Sequence, residues 1–389
     1  MIECTLLYPD QVSWWGEPGY SAEASDDLTD AYQFIYRGDG YTFALPAAAV
    51  LVERWLGKYI SAHQRMHVYY VFALAHAADD NTALSLFWVD KALGHASRLH
   101  EIGDQAELLI QRASLHRSTL EFEEAAEDLK LCLMMLDEQR QLLGIETADA
   151  QLRIYPQLAT YEFYLARFQS AEALIAQARS LLSSVKSPQP LSMGTLEWNQ
   201  AKLYNLKGQS YRALWHILSI AGDYARVAPA ISRERFEIDV ADYALNWAQS
   251  IPAGDDRADF IRLAARHLST ADGIATELRD APGAGLIQLK QVHLSRLTNG
   301  LMDRVGALEA VIRQGRTLGD EALIAQGLIA LGDELTYRDE HESARNCYRQ
   351  TLGALDGSQV PALAIPARRA LHMADEQNPP TGWNPLADM

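Results

Sequence analysis

The chain has 389 residues, of which 48% are hydrophobic and 22% are charged, a composition typical of a protein that buries a core. Its 34 Lys and Arg residues are outnumbered by 51 Asp and Glu residues, which gives a formal net charge of −17. Because so acidic a chain is repelled by a phosphate backbone, the composition argues against direct binding of nucleic acid.

Cysteine usage and the absence of long apolar runs both bear on where the protein works. The three cysteines, Cys4, Cys132 and Cys347, are scattered and form no CxxC pair, so a disulfide framework is excluded and a reducing compartment is favoured. The N-terminus carries Glu3 and Asp10 and lacks the apolar centre of a secretion signal. No stretch approaches the ~18 apolar residues of a membrane-spanning helix. The sequence therefore predicts a cytoplasmic protein that does not enter a membrane.

Residues 1–43 form the first predicted segment, in which aromatic residues are dense and Gly and Pro interrupt the pattern. One helix is predicted at residues 26–36. Two roles fit this composition: an N-terminal arm that folds back over the first exposed repeat, or an arm that docks a partner protein. Its aromatic residues are Tyr8, Trp14, Trp15, Tyr20, Tyr32, Phe34, Tyr36, Tyr41 and Phe43.

Residues 44–356 show the 3.6-residue periodicity of amphipathic helices. In Glu121–Leu136, for example, apolar residues from Phe122 to Leu136 recur at helical spacing, and the opposite face is acidic. Small residues return at intervals of roughly 37 to 49 residues, a period typical of helical repeat proteins. These small residues are Ala83, Ala125, Ala171, Ala213, Ala258, Ala307 and Ala344.

The clearest repeat, Ala325–Leu352, resembles a tetratricopeptide repeat of the long-helix type found in bacterial signalling regulators. Leu331 and Gly332 match the Leu-Gly step of helix A, Ala344 matches the small position of helix B, and Tyr348 matches its aromatic position. The resemblance implies an all-α fold, a right-handed superhelical solenoid of about seven antiparallel helix pairs. Residues 357–375 are predicted to be a capping helix, and the proline-rich residues 376–389 a flexible tail.

The resemblance also implies a function, because arrays of this family present the inner residues of their A helices to partners. The first hypothesis is a non-enzymatic adaptor that binds a peptide or helix of another protein in its concave groove. For Phe163, Tyr164 and Trp198, ordinary packing between helices is the alternative. The predicted partner-binding residues are Ser114, Arg117, Thr160, Phe163, Tyr164, Trp198, Lys202, Asn205, Asp333 and Tyr337.

A second hypothesis, from another class of function, is a regulator that responds to a ligand or peptide, similar to the sensor arm of a pheromone receptor. Such a protein would act on a separate chain, because no helix-turn-helix pattern precedes the repeats and Arg37 is the only basic residue before Arg54. The N-terminal segment and the end repeats both permit dimers without requiring them.

An enzyme is the third hypothesis, and the sequence offers little for it. His63 and His67 lie one helical turn apart in His-Gln-Arg-Met-His, a spacing that can bind zinc. In zinc proteases the residue after the first histidine is a glutamate that serves as general base, whereas Gln64 cannot accept a proton. No third ligand, phosphate-binding loop or nucleophile elbow accompanies the pair. We therefore predict no catalytic residues, no metal and no cofactor.

Overall fold

The computed structural model describes residues 17–37, 41–78, 81–143, 147–183, 185, 190–355 and 361–375. Every regular element in these ranges is an α-helix, which confirms the predicted all-α class. The chain divides into two compact units, Met1–Ile154 and Tyr155–Met389. The first unit contains α1 (Ala22–Arg37), α2 (Tyr41–Glu53), α3 (Ala62–Ala78), α4 (Thr82–Leu99), α5 (Ile102–Ser118) and α6 (Phe122–Leu143).

The boundary between the units falls within α7 (Ala148–Tyr164), one residue before Pro156. Although a proline lacks the N–H that a helix interior needs, α7 continues through Pro156 to Tyr164. The second unit then contains α8 (Phe168–Leu182), α9 (Pro190–Leu206), α10 (Ser210–Val227), α11 (Ala230–Ser250), α12 (Asp255–Leu278), α13 (Ala281–Thr298), α14 (Arg304–Leu318), α15 (Glu321–Tyr337), α16 (His341–Ala354) and α17 (Pro361–Asp375).

Consecutive helices pack as hairpins in six of the pairs from α3 to α16, and α7 and α8, joined by residues 165–167, stand at the place of the remaining one of the seven expected pairs. We call the odd-numbered helix of each pair helix A and the even-numbered one helix B. The hairpin of α1 and α2 precedes these pairs. It occupies part of the predicted N-terminal arm, and α2 spans the boundary drawn at residues 43 and 44. The capping helix predicted at residues 357–375 corresponds to α17, and the tail at 376–389 lies outside the described residues.

The repeat frame is set by small residues at the contact between helices A and B. Ala344 is fully buried, and a methyl group on Gly332 would come within 2.4 Å of Tyr348 Cε1. Tyr348 itself is completely buried, so its ring fills the space that the missing side chain leaves. This is the packing that the Leu-Gly step, the small position and the aromatic position predicted for this repeat.

In five of the turns from helix A to helix B, one residue takes the left-handed conformation, whereas no residue of the turn between α11 and α12 does. A left-handed residue ends the helix and frees the chain to reverse direction. Only one of these positions is a glycine, and the other four carry a Cβ atom that disfavours positive φ. The φ angles are 63° at Leu120, 57° at Ala166, 72° at Gly208, 52° at Asn299 and 60° at Asp339.

Candidate functional site

The ten predicted partner-binding residues are divided between the two units. Ser114 and Arg117 lie on α5 in the first unit, where Ser114 is half-buried and Arg117 is exposed. The Arg117 side chain makes no ion pair or hydrogen bond with any residue in the described ranges. The other eight residues belong to helices of the second unit.

On α7, Thr160 belongs to a hydrogen-bonded group that the sequence did not reveal. Thr160 Oγ1 lies 2.7 Å from Asn199 Oδ1 and 3.0 Å from the Pro156 carbonyl oxygen. Asn199 is buried on α9, and its Nδ2 donates to the same carbonyl at 2.8 Å. Asn199 thereby joins α9 to α7, and the polar atoms of Thr160 are engaged inside the protein.

The aromatic residues at the end of α7 pack against one another. The Phe163 ring meets the rings of Tyr164 and Phe168 edge to face, with centroids 5.5 and 5.7 Å away. Both predicted residues are half-buried. Phe163 thus packs against α8 through Phe168, which is the packing between helices that the sequence left open as the alternative for this residue.

Trp198 on α9 is also a packing residue, with only 9% of its surface exposed. Its ring lies edge-on to Tyr224 and Phe236, with both centroids 5.6 Å away. Its Nε1–H donates to Asp239 Oδ2 at 2.8 Å, and Lys202 Nζ lies 4.3 Å from the indole centroid. The Trp198 ring is therefore packed inside the protein, and its indole holds Lys202 and Asp239 in place.

Asp239 belongs to a polar stripe along α11 whose members are spaced four and three residues apart, as one face of a helix requires. We call it the α11 stripe. Successive members bond alternately to the α13 side and to α9. Asp239 and Asn246 face α9, where Asp239 lies 3.9 Å from Lys202 Nζ and Asn246 Nδ2 lies 3.5 Å from Asn205 Oδ1. The α11 stripe consists of Arg235, Asp239, Asp242, Asn246 and Gln249.

The remaining members of the α11 stripe face the next A helix, α13. Lys290 Nζ donates to Asp242 Oδ1 at 2.6 Å, and His293 Nε2 lies 2.9 Å from Gln249 Oε1. Nearer the start of α13, Arg235 pairs with Asp280 at 2.7 Å. The predicted Lys202 and Asn205 thus join a polar surface formed by α9, α11 and α13, which we call the A-helix face.

The polar groups of the A-helix face are recessed. They are largely shielded from solvent, but each still has some contact with water. About 28% of the Asp239 side chain is exposed. Burial nevertheless raises the pKa of this carboxyl above its usual range, against the opposing effect of Lys202. Burial likewise lowers the pKa of the half-buried His293 to about 3, helped by Arg296, so the imidazole is neutral at pH 7. In such surroundings, electrostatic interactions are stronger than on an open surface.

Asp333 and Tyr337, the two predicted residues on α15, have contrasting surroundings. The Asp333 carboxylate accepts a hydrogen bond from Tyr348 OH at 2.8 Å, and burial raises its pKa to about 6. Tyr337, by contrast, is 65% exposed, and the Arg304 guanidinium carbon lies 6.0 Å from its ring centroid. Of the eight predicted residues in this unit, Tyr337 is the one with a broadly exposed side chain.

The segment His-Gln-Arg-Met-His on α3, the sharpest chemical motif of the sequence, attaches the N-terminal hairpin to the first unit. His63 lies between two carboxylates, with Nδ1 2.5 Å from Glu17 Oε1 and Nε2 3.3 Å from Glu101 Oε1. Within the described residues, no group of three side chains is arranged to hold a metal ion. Both ring nitrogens of His63 face protein carboxylates, so this histidine joins the residues preceding α1 to those preceding α5.

Two further residues of the segment bind the same hairpin. Gln64 Nε2 donates to the Ser21 carbonyl oxygen at 2.6 Å, and Gln64 Oε1 accepts from the Ser21 backbone N–H at 3.1 Å. His67 Nδ1 lies 2.6 Å from the hydroxyl of Tyr32 on α1. Gln64, which replaces the glutamate of a zinc protease, therefore serves as a two-point clamp for the backbone at the start of α1.

These observations define the class of fold: paired helices with tetratricopeptide-type contacts. No protein-family model matches the chain, and comparison with curated proteins gives no match. Among solved structures, the apo form of the quorum sensor NprR from B. thuringiensis is similar at a TM-score of 0.59 and 13% identity, covering 85% of this chain and 87% of that chain. A Rap protein complexed with competence and sporulation factor has a TM-score of 0.55 and 13% identity, with 91% and 98% covered.

The two similar structures are tetratricopeptide-type proteins, so they confirm the repeat fold that the sequence predicted. At this level of identity the likeness concerns the fold. Among the described helices of this chain, none combines the length and the apolar character needed to cross a bilayer.

Proposed function

We propose that this protein is a non-enzymatic adaptor that holds a peptide or helix of a partner protein on the A-helix face of its second unit. The observation that carries the proposal is the set of polar side chains that α9, α11 and α13 present together, recessed but in contact with water. A surface of this kind excludes bulk water from a bound segment while offering it hydrogen-bond partners.

Amide side chains make the A-helix face suitable for a peptide backbone, because each amide offers both a donor and an acceptor. Asn246 Nδ2 lies 3.5 Å from Asn205 Oδ1 and 3.3 Å from Asp242 Oδ2, distances at or beyond the usual limit of a good hydrogen bond. Replacing these long contacts by hydrogen bonds to a peptide therefore sacrifices little binding free energy. The neighbouring charges of Lys202 and Lys290 are each paired with an aspartate, so the face is close to neutral within an acidic protein.

The titratable groups of the A-helix face favour binding over catalysis. His293, whose pKa is lowered to about 3 by burial, is bonded to Gln249, and Asp239 is bonded to Trp198 and lies near Lys202. Each group therefore has a structural partner, and the His293 imidazole stays neutral around pH 7. A general acid or base works best with a pKa near the operating pH.

The similar structures support an interaction role. One is described as a quorum sensor, and the Rap protein is described in complex with competence and sporulation factor. Transferred to this chain as a proposal, they favour a bound peptide and a protein partner. The cytoplasm, where cysteines stay reduced, is the compartment that we propose for the interaction.

A second candidate, a ligand-responsive regulator, is favoured by the polar character of the bonds that join neighbouring A helices. The contacts of α11 with α9 and α13 at this face are hydrogen bonds and ion pairs. A ligand that competes for them changes the spacing of the helices. Small-angle scattering with and without the bound peptide distinguishes the candidates: an adaptor keeps its dimensions, whereas a sensor becomes more compact or more open.

The proposed adaptor is tested by capturing a partner with the purified protein and then replacing Asn246 by leucine. This substitution preserves the size of the side chain but removes the amide donor and the amide acceptor. We expect a loss of affinity of roughly tenfold, because the bound backbone loses its donor and its acceptor. Gln177→Leu, at an exposed position on helix B of another pair, is the matched control and should bind as the parent does. Circular dichroism verifies that both variants fold.

The same assay tests the N-terminal segment as the alternative interface. Deletion of residues 1–16 leaves α1 and its contacts with Gln64 and His67 in place. If this deletion abolishes capture while Asn246→Leu binds with the affinity of the parent, the N-terminal segment is the interface and the proposed A-helix face is wrong.

A further inference from the structure

Two arginines converge on one carboxylate at the end of α15, outside the A-helix face. Arg304 Nε, at the start of α14, donates to Glu334 Oε1 at 2.9 Å, and Arg338 Nε, just after α15, donates to the same oxygen at 3.1 Å. The two Nε atoms are therefore no farther apart than the sum of these distances. Glu334 is 2% exposed, so the single negative charge that holds the arginines together is buried.

The pairing leaves most of the hydrogen-bonding capacity of both arginines unused. Each guanidinium has five N–H groups, and only the Nε–H of each is bonded to Glu334. The terminal nitrogens of Arg304 and Arg338 make no hydrogen bond within the described part of the chain. About 16% of the Arg304 side chain and 40% of the Arg338 side chain are exposed, so an incoming group can reach them.

The cluster of Arg304, Arg338 and Glu334 carries a net positive charge in a protein whose formal net charge is −17. Arg304 and Arg338 contribute two positive charges against the one negative charge of Glu334. The nearby Asp333 is opposed by Arg296, which makes no ion pair with a described residue. Asp303 and Asp339 adjoin the two arginines in the sequence. The three side chains in direct contact, Arg304, Arg338 and Glu334, nevertheless carry one net positive charge among them, which one monovalent anion balances.

An exposed aromatic ring borders the two arginines. Tyr337 immediately precedes Arg338 and is 65% exposed, and the Arg304 guanidinium carbon lies 6.0 Å from its ring centroid. A planar guanidinium beside an aromatic ring presents its terminal nitrogens edge-on, the geometry that suits two parallel bonds to a carboxylate. The ring also offers contact area to the aliphatic part of whatever carries the carboxylate.

We propose that Arg304, Arg338 and Tyr337 form a binding site for a carboxylate, carried by an acidic side chain of a partner protein. The terminal nitrogens of the two arginines bind the carboxylate oxygens, and Tyr337 covers the adjoining methylene group. A carboxylate fits the excess charge, whereas a phosphate dianion brings one negative charge too many next to Glu334. The site is independent of the proposed A-helix face, since the described bonds of both arginines go to Glu334 on α15 and not to α9 or α11.

The probes are acetyl-aspartate amide, whose only charge is a side-chain carboxylate, its neutral analogue acetyl-asparagine amide, and inorganic phosphate. Saturation-transfer NMR on the full chain at low salt measures the binding of each probe. We expect acetyl-aspartate amide to bind and acetyl-asparagine amide not to bind, and we expect Arg338→Gln to weaken acetyl-aspartate amide roughly tenfold or more. Arg338→Gln leaves the bond between Arg304 and Glu334 in place, which protects the fold.

Arg313→Gln is the matched control, because Arg313 lies on α14 with its side chain 67% exposed and is separated from Glu309 by 3.9 Å. It should bind acetyl-aspartate amide as the parent does. Equal binding of the acid and the amide, or unchanged binding in a folded Arg338→Gln variant, overturns the site. Tighter binding of phosphate than of acetyl-aspartate amide overturns the assignment to a carboxylate. Asn246→Leu should leave the binding of acetyl-aspartate amide unchanged, which separates this site from the A-helix face.

Discussion

At the scale of single residues, burial decides which positions of the repeat tolerate change. Ala344 and Glu342 are two residues apart on α16, yet Ala344 is fully buried and the Glu342 side chain is 80% exposed. Glu342 lies 3.3 Å from Arg345, and an exposed pair of this kind contributes little to stability. The sequence pattern anticipated this difference, because Ala344 stands at the small position of helix B.

We predict that Ala344→Glu lowers the free energy of unfolding by about 3 kcal/mol or more, because a carboxylate must be buried in a close helix contact. Glu342→Ala should change it by less than about 0.5 kcal/mol. Urea unfolding followed by circular dichroism measures both values. Equal losses in the two variants would show that the repeat frame at this pair is wrong.

A second residue-scale prediction concerns Ala166, which has a φ of 57° in the turn between α7 and α8. Left-handed backbone costs an alanine about 1 kcal/mol, and glycine is free of this cost but loses more entropy on folding. Ala166→Gly should therefore stabilise the protein by about 0.5 kcal/mol. Ala173→Gly, at an exposed position inside α8, should instead destabilise it by about 1 kcal/mol. Destabilisation by both substitutions would contradict the expectation for the turn.

At the scale of helices, close packing depends on glycines whose role is visible only where another helix approaches. A methyl group on Gly332 would lie 2.4 Å from Tyr348 Cε1, whereas one on Gly353 would meet no atom within 4 Å. Both glycines are inside helices, where glycine is intrinsically unfavourable. The close contact between α15 and α16 therefore explains why glycine is needed at position 332, whereas no contact requires glycine at position 353.

We predict that Gly332→Ala lowers the free energy of unfolding by about 2 kcal/mol, since the buried Tyr348 ring cannot move aside without strain. Gly353→Ala should raise it by about 0.5–1 kcal/mol through helix propensity alone. A double-mutant cycle with Tyr348→Leu tests the cause, because the smaller side chain should relieve much of the loss. Additive effects in that cycle would mean that Gly332 matters for another reason.

At the scale of the whole molecule, neutral histidines that are shielded from solvent make stability depend on pH. Burial lowers the pKa of His67 and of His293 to about 3, and that of His95 to about 4. Above the unfolded value of 6.5, these groups are neutral in both states and their contribution to stability is complete. As the pH falls below 6.5, these histidines bind protons in the unfolded chain but not in the folded chain, so stability is lost. Asp333, whose pKa is raised to about 6, acts in the opposite direction.

We predict that His67→Gln flattens the loss of stability between pH 6.5 and 4.5, because this residue alone accounts for about 2 kcal/mol across that interval. Glutamine can still exchange a hydrogen bond with Tyr32 OH. Urea midpoints measured across the interval give the slope for each protein. His341→Gln, which changes a histidine side chain that is 49% exposed, should keep the slope of the parent. Identical slopes for His67→Gln and the parent would refute the assignment.

The sequence by itself determined the class of fold, because the information for it is local. Helical periodicity, small residues at regular intervals and the Leu-Gly, Ala and Tyr pattern of residues 331–348 each act within one or two helices. The seven pairs from α3 to α16 follow from those signals. The absence of a zinc-protease glutamate at Gln64 was equally visible, since it concerns a single position.

Only the tertiary structure decided the character of the candidate site, because its bonds join residues about 40 positions apart. Trp198 was predicted as an anchor for a partner, yet its ring is fixed by Tyr224 and Phe236, and its indole N–H bonds Asp239. Asp239 and the other members of the α11 stripe carry no local signal of their role. The burial and pairing of a polar side chain depend on the neighbouring helix, and helical periodicity does not encode which residue that helix presents.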